Sequence, residues 1–457
     1  MAELSFPKRP YRTKGGVHAP HNKHTAHKES VVMPAPAMVA LPMTQHIGAP
    51  CKPIVKVGET VDVGQQIAGS DAFVSAPIHA SVSGKVKKID KITMPDGSRV
   101  DAIFIESDGE MRLSPEIKPP KVESLSDLLT AVRNSGLVGL GGAGFPASVK
   151  LNIPADKNVD TLIINVAECE PYITSDHREI LENSWDVVSG IITVKDFLDI
   201  HRVIIGIEDN KPDAIKALRE IADSSVDPKD EIRVLPIKAS YPQGAEKILI
   251  KACTGREVPV GGLPSDAGCL VMNVGSIAFL ARYLKTGIPL ISRRLTVDGG
   301  CIADPVNVIA PIGTPIKDVI EFVGGYKEPP YKLIMGGPMM GIALPNDELF
   351  ILKQNNAILA LSEKEARDYT PSACIRCGKC LDACPMRLQP LELANAANRG
   401  DIDGLNFYHA MNCMECGCCS FICPAKRHLV QNIRMGKALM QKAKREAIAA
   451  KDKGGKK

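Results

Sequence analysis

The sequence predicts an α/β multidomain protein that closes in a small, cysteine-built helical domain. Three observations carry this. Between residues 116 and 300 apolar runs alternate with amphipathic helical stretches. Residues 31–115 hold only short strand-like runs cut by Gly, Pro and Asp. Nine of the 14 cysteines lie between Cys374 and Cys423. At 457 residues the chain suits three or so folded units, taking about 150 residues for each. With 44% hydrophobic and 24% charged residues it is ordinary for a globular protein. No apolar run reaches the roughly 18–20 residues that span a bilayer. The longest, Cys269 to Ala281, is broken by Asn273, Gly275 and Ser276. The N-terminal MAELSFPKRP lacks the apolar stretch of a secretory leader, so a reducing compartment is expected.

The elements follow in order. Residues 1–30 are rich in Lys, His, Pro and Gly, and His18, His21, His24 and His27 recur every third residue. Pro20 excludes a regular helix there, so an extended arm lying on the surface is expected. From 31 to 115 the runs MVALPM, KPIVKVGETV, QQIAGS, AFVSAPIHASVSGKVKKI and RVDAIFIES read as strands. The blocks VKVGETVDVGQQIA and SAPIHASVSGKVKKI resemble the halves of a lipoyl or biotinyl carrier, which implies a barrel-sandwich hybrid. The turn that would carry the modified lysine reads SAPIHA instead, so a docking barrel is expected.

In 116–300, SLSDLLTAVRNSG is an amphipathic helix, and DTLIINVA and RVIIGIE are continuous apolar runs, as buried parallel strands are. KPDAIKALREIADSS and GAEKILIKACTG read as helices; IRVLPI and CLVMNV read as strands. That alternation predicts a sheet with ligand groups at its strand C-termini. Residues 301–350, with VIAPIGTPIKDVIEFVGG and LIMGGPMMG, read as a β-grasp-like module. The cysteines occupy 351–430, and 431–457 form a basic helical tail. From Lys426 onward eleven Lys/Arg face two acids, a charge of +9; the net +4 leaves 4 − 9 = −5 for the body. Such a tail suits an anionic membrane surface, an acidic partner, or plain solvent.

The cysteine spacing is the sharpest signal. Cys374, Cys377, Cys380 and Cys384 fit C-x2-C-x2-C-x3-C and precede Pro385. Cys413, Cys416, Cys419 and Cys423 repeat the spacing and precede Pro424. Three cysteines on one tight loop supply three corners of a cuboidal cluster, and in two-cluster ferredoxins the fourth ligates the other cluster. The predicted sets are therefore Cys374, Cys377, Cys380 and Cys423 for one [4Fe–4S] cluster, and Cys413, Cys416, Cys419 and Cys384 for the second. Structural zinc needs only paired C-x2-C knuckles, without the third cysteine or the Cys-Pro step. Cys418 is left over.

Two further stretches invite a ligand. From Gly136 to Gly144, five glycines fall within nine residues. Such a loop lets backbone N–H groups close on a phosphate or flat ring, with Lys150 as a nearby cation. A plain turn is an equal reading, because neither Rossmann nor Walker spacing is present. After the next strand, NVAECEPYITSDHRE places Glu168 and Glu170 two residues apart at a strand C-terminus, where carboxylates can accept ribose hydroxyls, a solvated acidic turn being an equal reading.

Together, GGAGFP with Lys150, N-x-A-E-x-E-P and D-x-R-E resemble the flavin- and NADH-binding subunit of respiratory complex I and related hydrogenases. The family's Y-x-x-G-E-E element matches Tyr241 to Glu246, and its N-N-V strand end matches Met272-Asn273-Val274. The resemblance implies that Gly141, Gly142, Gly144, Phe145, Lys150, Asn165, Glu168, Glu170, Tyr241, Gly244, Glu246 and Asn273 line a pocket for FMN and NAD(H). Leu140, Ala167, Ala245 and Met272 depart from the family pattern. With the barrel, an SLBB-type β-grasp module and a two-cluster ferredoxin added, nearly the whole chain resembles the RnfC family. Its members belong to membrane-bound, ion-translocating ferredoxin:NAD oxidoreductases. The implied role is electron exchange between NAD(H), FMN and two [4Fe–4S] clusters, beside other membrane subunits and, indirectly, ferredoxin. The implied location is peripheral, on the cytoplasmic side of the membrane. No general acid or base is needed, no nucleic acid is expected, and no catalytic side chain is named. A cobalamin (corrin) reductase with the same domain set, and a non-catalytic ferredoxin-like wire, are the competing readings.

Overall fold

The computed structural model describes residues 11, 13–225 and 231–454. The leader expectation for residues 1–10 and the chain end at 455–457 lie outside them. The N-terminal barrel consists of two antiparallel sheets. One orders Met38–Pro42, Arg99–Ser107, Gly84–Thr93 and Thr60–Val61; the other orders Lys52–Pro53, Gln66–Gly69 and Ile78–His79. Their residues Val39, Leu41, Ile67, Ile78, Ile103 and Ile105 are fully buried. The SAPIHA turn does not project as a tip, for Ser75 to Ala80 are all buried.

The central sheet is parallel, ordered Glu231–Ile237, Arg202–Glu208, Thr161–Val166 and Cys269–Asn273. Its middle strands are buried along almost their whole length, as their unbroken apolar runs require. Helix Leu125–Asn134 starts with a capping box between Ser124 and Asp127. Helix Glu246–Thr254 stops at Gly255, whose φ of 73° places it in the left-handed region. The register pairs Asn165 with Asn273, so both residues sit at the C-terminal edge.

The third unit is a six-stranded sheet, ordered Val31–Val32, Val306–Pro311, Ser292–Asp298, Ala357–Leu361, Lys332–Met335 and Ile342–Leu344, with helix Ile316–Phe322. Its strands reach beyond the expected 301–350. Ser292–Asp298 and Ala357–Leu361 run parallel side by side, and Val31–Val32 adds an edge. Such non-local pairing leaves no signature in a local hydrophobic pattern.

In the C-terminal unit, helices Pro390–Arg399 and Ile402–Phe407 separate the two cysteine runs. The long helix Leu429–Gly454 packs on them through Leu429, Val430 and Ile433, which are buried. Between 441 and 448 nearly every residue of that helix is exposed. No helix among the described residues is long and apolar enough to cross a membrane.

Candidate functional site: two cysteine cavities beside a nucleotide-type loop

The two cysteine runs are related by an offset of 39 residues, since 413 − 374, 416 − 377, 419 − 380 and 423 − 384 are equal. The backbone repeats with them. Arg376 and Glu415 have φ of 54° and 60°, Gly378 and Gly417 have 77° and 78°, and Arg387 and Lys426 have 53° and 52°. The left-handed residue after each first cysteine turns its N–H back onto that sulfur: Arg376 N donates to Cys374 Sγ and Glu415 N to Cys413 Sγ, both at 3.4 Å. Leu388 N donates to Cys384 Sγ at 3.3 Å. Such N–H···S bonds favour the thiolate form that binds iron.

The runs cross over. One cavity, here the inner, is lined by Cys384, Cys413, Cys416 and Cys419. The other, the outer, is lined by Cys374, Cys377, Cys380 and Cys423. Each therefore receives three cysteines from one run and the fourth from the other. Among the described residues no three Cys, His, Asp or Glu side chains converge closely enough to hold a single ion. Each cavity offers four thiols, the donor number a cuboidal cluster takes. Cys418 also lines the inner cavity and is fully buried. Under the offset it corresponds to Lys379, while Cys419 corresponds to Cys380.

The two cavities differ in access. Cys374 and Cys377 are exposed, and Ile375 beside them is 67% exposed. Cys416 and Cys419 are buried. The inner loop abuts the central unit: Tyr241 Oη donates to Cys416 O at 2.7 Å. Val17, Tyr241, Ala383, Cys416 and Cys418 form one buried cluster there.

The nucleotide-type loop sits at the C-terminal edge of the parallel sheet. Gly142 has φ 129°, and a Cβ placed there meets nothing within 4 Å, so the loop opens on free space. The backbone N–H groups of Gly141 and Gly142 meet no acceptor among the described residues. A Cβ at Gly141 would lie 3.2 Å from Asn273 Nδ2. Gly144 turns the loop at φ 66°, and Phe145 behind it is half-buried. An open backbone of this kind suits a phosphate or a flat ring. Lys150 pairs with Glu246 at 2.6 Å, both partly exposed.

Other predicted residues are engaged in holding the site together. Asn165 Nδ2 donates to Gly244 O at 2.9 Å, and Asn273 Nδ2 to Asp176 Oδ2 at 2.7 Å. Gly244 approaches the Ala167 carbonyl too closely for any Cβ. The Glu168 carboxylate accepts Asp176 N at 2.8 Å and Ser175 Oγ at 3.3 Å, capping helix Ser175–Phe197. The Glu170 carboxylate accepts Met339 N at 3.0 Å and Met340 N at 2.9 Å. Burial pushes Glu170 up to about 7. Asp176 also rises to about 7, through burial and then the neighbouring Glu168 charge.

Two residues that the local sequence pattern does not mark belong here. Arg293, on the third unit's sheet, donates to Leu140 O at 3.1 Å and Asn355 O at 3.0 Å, and burial lowers it to about 10. Lys23, from the arm, donates to the carbonyls of Glu168, Glu170 and Ile173 at 2.5–2.8 Å. A lone lysine among histidines reads as surface, so neither residue could have been picked out beforehand.

An open phosphate-type loop on a parallel sheet, joined to two crossed cysteine quartets, defines a flavin and iron–sulfur oxidoreductase component. Known proteins agree with this unit by unit. Residues 11–110 match the RnfC barrel sandwich hybrid domain, 132–282 the Nuo51 FMN-binding domain, 294–343 the SLBB domain and 373–426 the 4Fe–4S dicluster domain. The chain is 44% identical over 427 residues to the C subunit of the proton-translocating ferredoxin:NAD(+) oxidoreductase complex of Clostridium ljungdahlii, covering 92% of each. It is 45% identical to the C subunit of the Na(+)-translocating ferredoxin:NAD(+) oxidoreductase complex of Acetobacterium woodii, over 96% of this chain and 98% of that one. It is 39% identical to the C subunit of the ion-translocating oxidoreductase complex of Rhodobacter capsulatus, over 88% and 78%. Among solved structures it is similar to an NAD+-reducing [NiFe]-hydrogenase chain, with TM-score 0.47 and 19% identity over 69% of this chain and 63% of that one. The chain belongs to the RnfC family, the C subunits of ion-translocating ferredoxin:NAD oxidoreductase complexes.

Proposed function

We propose that the chain carries electrons between NAD(H) and the other subunits of an ion-translocating ferredoxin:NAD oxidoreductase complex. The observation that carries this is the order of sites in space. The inner cysteine cavity is bonded to the nucleotide-binding unit through Tyr241 and Cys416, and the outer cavity opens to solvent. When bound, FMN supplies the exchange between a two-electron hydride carrier and one-electron clusters. The open backbone of Gly141 to Gly144 would receive its phosphate, with Lys150 nearby and Asn165 and Asn273 at the strand ends. The inner quartet would hold the cluster that exchanges electrons with that site, and the outer quartet the cluster that meets a partner.

Membrane attachment in this reading is peripheral and on the cytoplasmic side, through the other subunits of the complex. The exposed part of the basic helix is a natural second contact. Truncation after Gln441 removes it while keeping Leu429, Val430 and Ile433. Unaltered membrane association of that variant would dismiss the contact.

The deciding experiment is iron, sulfide and FMN per chain in anaerobic protein, with an EPR spectrum after NADH. About eight irons and one FMN, and cluster signals on adding NADH, are expected. Colourless or zinc-loaded protein would end this reading.

A further inference from the structure

The arm is wedged between the units, and it threads the space between the inner cysteine cavity and the nucleotide-binding sheet. Gly16 N donates to Ala383 O at 2.9 Å, beside the ligand Cys384. Val17 N donates to Tyr241 O at 2.8 Å, and the two residues form an isolated antiparallel bridge. There is no room to spare. A Cβ at Gly15 would come within 2.9 Å of the Cys384 carbonyl, and one at Gly16 would collide with the Tyr241 carbonyl. Both glycines also have positive φ, 85° and 78°. Further along, Tyr172 N donates to His21 O at 2.8 Å, and Thr25 Oγ1 bonds Thr174 Oγ1 at 2.5 Å. Between them Lys23 buries its ammonium on three carbonyls of the Glu168–Ile173 loop. A charge held this way stays only where the whole geometry is satisfied.

We propose that Gly15 to Lys23 is a positioning strap for electron transfer, clamping the inner cluster loop against the sheet edge that carries the nucleotide loops. Lys23 anchors one end of the strap on the acidic loop. Gly16 and Val17 tie the other end to Ala383 and Tyr241. The segment touches no reacting atom, so its residues position rather than react. This rests on the electron-transfer reading above.

The test uses the full chain, reconstituted with iron, sulfide and FMN. Gly16→Ala puts a methyl group against the Tyr241 carbonyl, and Tyr241→Phe removes only the hydroxyl bonded to Cys416. Stopped-flow absorbance follows cluster bleaching by NADH. NADH:ferricyanide turnover, which draws electrons ahead of the clusters, is measured beside it, as is the iron content. For Gly16→Ala, bleaching should slow several-fold while ferricyanide turnover and the iron count hold. For Tyr241→Phe, the inner cluster's potential, titrated by EPR with mediators, should fall relative to the outer cluster's. Normal bleaching in Gly16→Ala would overturn the strap, whatever the inner potential in Tyr241→Phe. If NADH fails to bleach the clusters of the unaltered protein, the electron-transfer reading itself fails, and the two failures stay distinguishable.

Discussion

The two cysteine runs have the same spacing, the same left-handed positions and the same N–H···S turn, yet their first loops differ in exposure. Around the outer quartet Cys374, Ile375, Arg376 and Cys377 are all exposed. Around the inner quartet Cys416, Cys418 and Cys419 are buried against Val17, Tyr241 and the helix that starts at Leu429. Local sequence therefore shapes a ligand loop, whereas burial is assigned by what packs over it. Burial and hydrogen bonding are also what tune a cluster's potential, so equal loops need not be equal centres.

Breaking one loop at a time should give the largest effects. Cys416→Ser should remove about four of about eight irons and stop NADH from reducing the surviving outer cluster. Cys377→Ser should remove about four irons as well, but the inner cluster should still be reduced by NADH. Iron analysis and EPR distinguish them. Identical behaviour of the two variants would erase the inner–outer order.

Access gives the next effect. Chelator with mild oxidant should release iron in two phases, about half of it fast, because Cys374 and Cys377 of the outer quartet are exposed whereas Cys416 and Cys419 of the inner one are buried. A single phase would show that the two environments are equivalent in solution.

A smaller effect is expected from Glu170, which braces the Met339–Met340 turn behind the inner loop. Burial raises its folded value from 4.5 to about 7. A carboxyl raised on folding binds more protons in the folded than in the unfolded state. Its contribution is therefore full below about 4.5 and is lost as pH climbs toward 7. Glu170→Gln should flatten the fall in urea midpoint between about pH 5 and 8. An unchanged slope would place the titration elsewhere.

The smallest effect belongs to Cys418. Cys418→Ser should leave about eight irons in place, because the offset makes Cys419 the ligand. Loss of about four irons would reverse that choice.

Part was legible beforehand. The spacing alone allows the two quartets to be proposed, and the two cavities of the folded chain are lined by those same eight cysteines. Capping residues such as Ser124 and Gly255 act over a single turn, so they too could be read directly. Other features were out of reach. Glu168 and Glu170 read as free carboxylates at a strand end, but in the folded chain both accept backbone N–H groups from elsewhere. The arm read as a surface segment, yet Val17, Thr25 and Ala26 are buried. Its partners Tyr241, Tyr172 and Ala383 lie roughly 150 to 370 residues away, beyond any local periodicity.

The amino-acid order alone therefore determined which chemistry is possible: thiols spaced for cubane centres, glycines that leave a backbone open, and apolar runs that must form a buried sheet. Those depend on neighbours within a few residues, where geometry is nearly covalent. Only the tertiary structure decided which cysteines face solvent, which carboxylates are already engaged, and what bridges the units. These depend on burial and on contacts between distant segments, and those exist only once the chain has packed.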